Sequence, residues 1–323
     1  MYFSIMIAQS HKAKQYLLAT AKVLVLTITF GYIYYKLKNY SSVDLEAFTS
    51  SVFSKGIVSG YPFLLFLILA AANWYFEIAK WQTLLSTVEK INFKTALKQS
   101  LAALTISLAT PNRIGDYGAK ALFFEAKLRK KILLLNFFSG TTQMFVTTIF
   151  GVFGLLYLLQ NFNITYSITT VAIALVSVIL IFVLGYFFKD KVLLFKDLSV
   201  ARVFRFYYKL PRQVKLKTIL FSVFRYVIFS VMFYALLLFF GGNISVSAAL
   251  PLIFAMYFLV SVLPSIFFLD VVIRGGVAVW LFSLVGVSEL TVLWSVLAMW
   301  LLNFVIPSIL GSFFVFTYQP ATR

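Results

Sequence analysis

Runs of about twenty apolar residues recur along this chain, and in water no single domain could bury them all. They lie at 16–35, 57–79, 132–159, 166–188, 218–240 and 290–318. A helix of that length satisfies its own backbone and spans the hydrocarbon core, so each run predicts a membrane-spanning helix. Charged residues make up only 12% of the 323 residues, about half the share of a soluble domain. The expected fold class is therefore all-α: one polytopic membrane domain over residues 1–323, with about six spanning helices.

Two further apolar stretches, 97–124 and 246–282, are interrupted by Pro111 and Pro264. Proline lacks an amide donor and restrains its predecessor, so it breaks a helix. Gly115 and Gly118 in the first stretch suit a tight bend, and Gly275 follows the second break.

Loop charges orient the spans, because lysine and arginine collect on the cytoplasmic side. Lys12, Lys14 and Lys22 place the amino terminus there, and four lysines against Glu89 place 80–98 there. Lys127, Arg129, Lys130 and Lys131 place 127–131 on the same side. The stretch between them thus begins and ends at one face, as a re-entrant pair of half-helices does. The loop 189–217 carries nine basic residues against Asp190 and Asp197 and is cytoplasmic too, whereas the segments near Ser245 and Glu289 are nearly uncharged and external. The second broken stretch then enters from the opposite face. Two oppositely oriented re-entrant pairs outline an inverted repeat, with both termini cytoplasmic. Transporters place substrate sites between such broken helices.

The breaks also carry charge. "ATPNRIGDYGAKA" holds Arg113, Asp116 and Lys120, and "LDVVIRGG" holds Asp270 and Arg274. An ionised group at membrane depth costs about 2.5–3.5 kcal/mol even on a lenient scale. The i,i+3 and i,i+4 spacings let these groups pair along a helical face. Two readings stay open: the pairs only lock the bundle, or the cations face a polar cavity and bind an anionic headgroup or phosphate. Asn73 and Glu77 form a candidate third polar patch, although Glu77 with Lys80 also fits a simple interfacial pair. Arg225 is expected to snorkel to the cytoplasmic surface.

Several function classes recede. The net charge of +18 follows from the positive-inside bias without a nucleic-acid surface. With no cysteine and only His11, thiol chemistry and His/Cys zinc sites are excluded, and no cofactor is expected. Phosphate-loop, nucleophile-elbow and metalloprotease motifs are missing, so an enzyme is not expected. No small-residue cleavage site follows the first apolar run, which reads as a span and not a signal peptide.

"TPNRIGDYGAKALFF" resembles the Pro-x-Arg-x-Gly-(Glu/Asp) element of the lysylphosphatidylglycerol synthase transmembrane-region family, flippase-like membrane proteins of bacteria and archaea. Pro264 with "LDVVIRGG" is similar to that family's later motif. It departs from it in Ile266, Phe267 and Phe268 after the proline and in Val272, where glycines are common. The resemblance implies a stand-alone membrane region, without the soluble aminoacyl-transfer part, in a bacterial cytoplasmic membrane. It implies translocation of an anionic or polyprenyl-phosphate-linked lipid, with Arg113, Asp116, Lys120, Asp270 and Arg274 at the substrate. A membrane-embedded transferase using Asp116 or Asp270 as base, or a structural partner of a glycosyltransferase, are the alternatives. Expected partners are membrane lipids, with a second copy of the chain or a glycosyltransferase to consider.

Overall fold

The architecture is that of a computed structural model describing residues 61–107, 110, 115–162, 200–263 and 267–316. Among these residues all regular structure is helical: α1 (Tyr61–Leu85), α2 (Phe93–Ser107), α3 (Gly115–Leu122), α4 (Ala126–Asn161), α5 (Val200–Lys209), α6 (Arg212–Phe239), α7 (Val246–Val262), α8 (Phe267–Ser283), α9 (Glu289–Trp300) and α10 (Ile306–Phe316). A π-helical turn, Leu301–Val305, joins α9 to α10 without interrupting the rod. Helices α1, α4, α6 and the α9–α10 rod are long and apolar enough to cross a membrane. The protein is thus a polytopic α-helical membrane protein. The runs expected at 16–35 and 166–188 lie outside the described residues.

Each proline-broken stretch forms two helices, α2 with α3 and α7 with α8. Pro111, Arg113 and Pro264 themselves lie outside the described residues. The start of α2 (Ala96) and the end of α3 (Ala121, Phe124) pack in one cluster with Trp81, Leu84 and Leu85 of α1 and Ile132 and Leu135 of α4. Lys131 Nζ at the foot of α4 donates to the Thr87 carbonyl just beyond α1, at 3.2 Å. At the second stretch Thr291 Oγ1 of α9 donates to the Phe240 carbonyl at the end of α6, at 2.9 Å.

Long helices pair antiparallel. Phe66 of α1 meets Phe239 of α6 at 5.5 Å between ring centroids, and Phe76 meets Phe224 at 5.2 Å, so residue numbers rise on one helix as they fall on the other. Two glycines set the closest approaches. A Cβ at Gly154 of α4 would run into the Ala255 nitrogen and Pro251 carbonyl of α7, and one at Gly311 of α10 would run into the Leu101 carbonyl of α2. Small residues allow helix backbones this close in a membrane, where dispersion replaces hydrophobic drive. Helix α2 therefore docks on α10 as α7 docks on α4.

Three expectations need correction. α1 does not end at residue 79 but runs to Leu85, because Lys80 is 1% exposed and paired inside the bundle instead of marking the interface. Gly118 is exposed with open space around its α-carbon, so it makes no close packing; Gly115 does, with its amide bonded to Thr110 Oγ1 at 2.8 Å. Gly275 lies eight residues beyond the first residue of α8, against Leu293, and so packs α8 on α9 instead of forming the break.

Candidate functional site

Glu77 projects from the fifth turn of α1 into the bundle, where three cations converge on it or near it. Arg225 Nη1 donates to Glu77 Oε2 at 2.8 Å, Lys80 Nζ approaches the same oxygen at 2.9 Å, and Lys120 Nζ lies 3.9 Å from Oε1. Lys120 also pairs with Asp116 Oδ2 at 3.3 Å along one face of α3. Asn136 of α4 closes that ring: its Oδ1 accepts from Lys120 at 3.0 Å and its Nδ2 donates to Asp116 Oδ2 at 2.7 Å. Lys120 Nζ sits 4.8 Å over the Trp81 ring, a cation–π contact that shields the ammonium from lipid. Both lysines are 1% exposed.

A second strand of the network leads away from the charges. Arg225 Nε donates to Asn73 Oδ1 at 3.2 Å, Asn73 Nδ2 donates to Asn303 Oδ1 at 2.8 Å, and Trp74 Nε1 donates to the Asn303 carbonyl at 3.1 Å. Asn303 belongs to the π-helical turn. The cluster thereby ties α1, α3, α4, α6 and the α9–α10 rod together.

Glu77, Lys80, Asp116, Lys120, Asn136 and Arg225 line a cavity of about 480 Å³, bounded also by Ser100, Tyr117, Gln143, Met144 and Phe304, whereas Asn73 and Asn303 stand behind its wall. Its volume is that of a small-molecule site. Among the described residues Ser100 Oγ and Gln143 Oε1 are buried on its wall with no hydrogen-bond partner. Orphan polar atoms in a cavity cost stability unless water or a ligand meets them. Gly140 leaves room for the Tyr117 hydroxyl, which stands where its Cβ would be. Three cations against two carboxylates give these five side chains a net charge of +1. The cavity suits an anion that brings hydrogen-bond acceptors and an apolar remainder.

Asn73, Glu77, Asp116 and Lys120 are brought together as a site. Arg274 is not with them; it lines a separate small chamber between α6, α7, α8 and α9. The side chains of Arg113 and Asp270 lie outside the described residues. Arg225 does not snorkel: fourteenth in α6, it is deep enough that Glu77 and Asn73 offer closer partners than the surface. Sequence reasoning missed Lys80, Asn136 and Asn303 as site residues. Single polar residues inside apolar runs were the available signal, since a buried asparagine in a spanning helix needs a partner.

No metal cluster of three or more His, Asp or Glu residues occurs among the described residues. The fold and this cavity define a multi-pass membrane protein with a charged, partly solvable chamber inside its helical bundle. The chain belongs to the family of the lysylphosphatidylglycerol synthase TM region, whose model it matches over residues 19–311. Membership relates it to membrane lipids in general. No curated protein and no solved structure matches the chain.

Proposed function

We propose that the protein is a lipid translocase that carries an anionic or polyprenyl-phosphate-linked lipid headgroup through the bundle. The observation that supports this most is the cavity within the bundle with its excess cation. Lys120 and Arg225 supply two positive groups on its wall, each able to turn from a carboxylate to a phosphate. Asp116 and Glu77 hold those cations in place and neutralise them between substrates. Ser100 Oγ and Gln143 meet the headgroup's remaining polar atoms. Arg113, Asp270 and Arg274 are proposed as further substrate contacts at the two breaks.

An inverted repeat is part of this reading, and the packing supports it. Exchanging α1, α2 and α3 with α6, α7 and α8, and α4 with the α9–α10 rod, turns every helix pair described above into another observed pair. α1 and α6 exchange with each other and are antiparallel. Repeats related in this way place a site between oppositely directed half-helices, where alternating access acts. The charge bias of the loops orients the first hairpin toward the cytoplasm.

The membrane-embedded transferase is less well supported. A general base must reach an attacking hydroxyl, yet Asp116 Oδ2 already accepts from Asn136 and pairs with Lys120. The test is reconstitution in vesicles with labelled phosphatidylglycerol or a polyprenyl phosphate. Protein-dependent leaflet exchange of the intact lipid is expected. Unaccelerated exchange for both lipids refutes the translocase, and covalently altered lipid after incubation with activated donors establishes the transferase instead.

A further inference from the structure

The 480 Å³ cavity has a neighbour. Beyond Arg225 on α6, Phe229 and Phe233 line a second chamber together with Tyr257, Arg274, Met299 and Trp300. At 1.5 Å rise per residue, those phenylalanines stand roughly 6 and 12 Å further along the helix than Arg225. The second chamber holds about 20 Å³, room for one water and nothing larger. One side chain lines both spaces: Phe304. It is 7% exposed and stands in the π-helical turn.

The two chambers correspond under the exchange of helices that relates the halves. Asp116 and Lys120 sit at i,i+4 on α3, the return helix of the first hairpin, and Asp270 and Arg274 sit at i,i+4 on α8, the return helix of the second. Lys120 lines the open chamber and Arg274 the closed one. A headgroup site with its counterpart collapsed on the far side is what a path with alternating access presents in one of its end states.

We infer that these chambers are two half-sites of one path for a phosphate-bearing headgroup, and that Phe304 is the side chain that separates them. The inference rests on the translocase reading and adds to it the second half-site and its partition. The π turn suits a partition. Its extra residue loosens the regular helical ladder, so the turn reshapes at lower cost than an α-helical one, and such turns recur at functional sites. The turn is also wired to the first half-site. Arg225 holds Asn73, and Asn73 holds Asn303, the residue next to Phe304. A phosphate that draws Arg225 away from Asn73 removes one restraint on that asparagine pair and frees the turn that carries Phe304.

The chain has no cysteine, so one can be introduced without background. Val296→Cys places a thiol on the wall of the second chamber. In proteoliposomes, a small water-soluble thiol reagent entering from the side of the first cavity is expected to modify it slowly. With Phe304→Ala modification is expected to be at least about tenfold faster, because access scales with the open fraction of the partition. Phe304→Leu gives an intermediate rate while keeping an apolar side chain in the core, and Phe304→Trp gives no increase. Equal rates in all four backgrounds overturn the partition. The second arm is leaflet exchange of labelled phosphatidylglycerol in the cysteine-free protein, expected to rise with Phe304→Leu and fall with Phe304→Trp. Thiol rates that respond to residue 304 while no variant moves lipid overturn the translocase reading and the headgroup path with it. Lipid exchange indifferent to residue 304, with indifferent thiol rates, overturns the partition and leaves the translocase standing.

Discussion

Glu77 is the residue on which the site's stability turns. Its carboxylate faces Arg225, Lys80 and, more distantly, Lys120, so a neutral replacement leaves buried cations without their counter-charge. Breaking such a pair from one side costs about 3–5 kcal/mol. Glu77→Gln is expected to lower thermal stability in detergent by that order, and adding Arg225→Met is expected to recover part of it. The non-additive double mutant identifies the pair as coupled. Lys120 answers a different question. Its neutral variant Lys120→Gln leaves the part-exposed Asp116 bonded to Asn136 and keeps an amide donor in place of the ammonium, so it should cost less stability than Glu77→Gln while one charged hydrogen bond to a phosphate is lost. Such a bond is worth about 1.5–3 kcal/mol, so lipid exchange should fall by roughly ten- to hundredfold. Exposed Lys127, paired only with Glu125, is the control: Lys127→Gln should exchange lipid as the native protein does. Sequence reasoning singled out Glu77, Asp116 and Lys120 because charge at membrane depth is expensive and therefore conspicuous, and Asn73 by its nearness to Glu77. It misjudged Arg225, since the helix begins at Arg212 and not at 218, which puts Arg225 at mid-helix, where the facing helix supplies its partners. One of them, Glu77 of α1, lies 148 residues away in sequence.

Among the described helices, the four long spans were legible from hydropathy alone, but their ends were not. α4 begins at Ala126, so the basic run Lys127–Lys131 forms its first turns instead of a preceding loop. At 36 residues it extends roughly 54 Å, well beyond the hydrocarbon core, and charges that mark a membrane boundary therefore do not mark a helix boundary. Each proline-bearing stretch contains two helices. Glycines did not declare their roles: Gly115, Gly118 and Gly275 look alike in sequence, yet only their neighbours in space separate a close approach from an open position. The contacts of Gly154 and Gly311 give that difference a measurable form. Gly154→Ala and Gly311→Ala each force a Cβ into the backbone of a facing helix and are expected to destabilise by about 1–3 kcal/mol. Gly118→Ala, on an exposed helical position with nothing nearby, should leave stability unchanged or raise it by about 0.5–1 kcal/mol. Thermal unfolding of the three variants side by side checks the ranking. Similar midpoints for all three would remove the close approach as a determinant of packing.

For the whole molecule the decisive quantity is topology, which the charge bias of the loops predicts. Cysteines in place of Lys94 and Lys130 are expected to react only with reagent supplied from the cytoplasmic face, and cysteines in place of Ser245 and Ser288 only from the opposite face. Labelling of residues 94 and 130 from different faces would turn the first broken stretch into an ordinary span and dissolve the repeat.

The crossed docking of α2 on α10 and of α7 on α4 has a consequence for how the chain is assembled. Each half lends an arm to the other, so the first half's own cluster around Trp81 leaves the clasped faces of α2 and α4 uncovered, and the covalent link between the halves is not what keeps them together. Two polypeptides divided within 189–199 and expressed together should therefore co-purify as a folded pair, while either fragment produced alone should be degraded or aggregate. In cells the first half would then have to wait, its hairpin unclasped in the bilayer, until α7 and α10 have been synthesised and inserted.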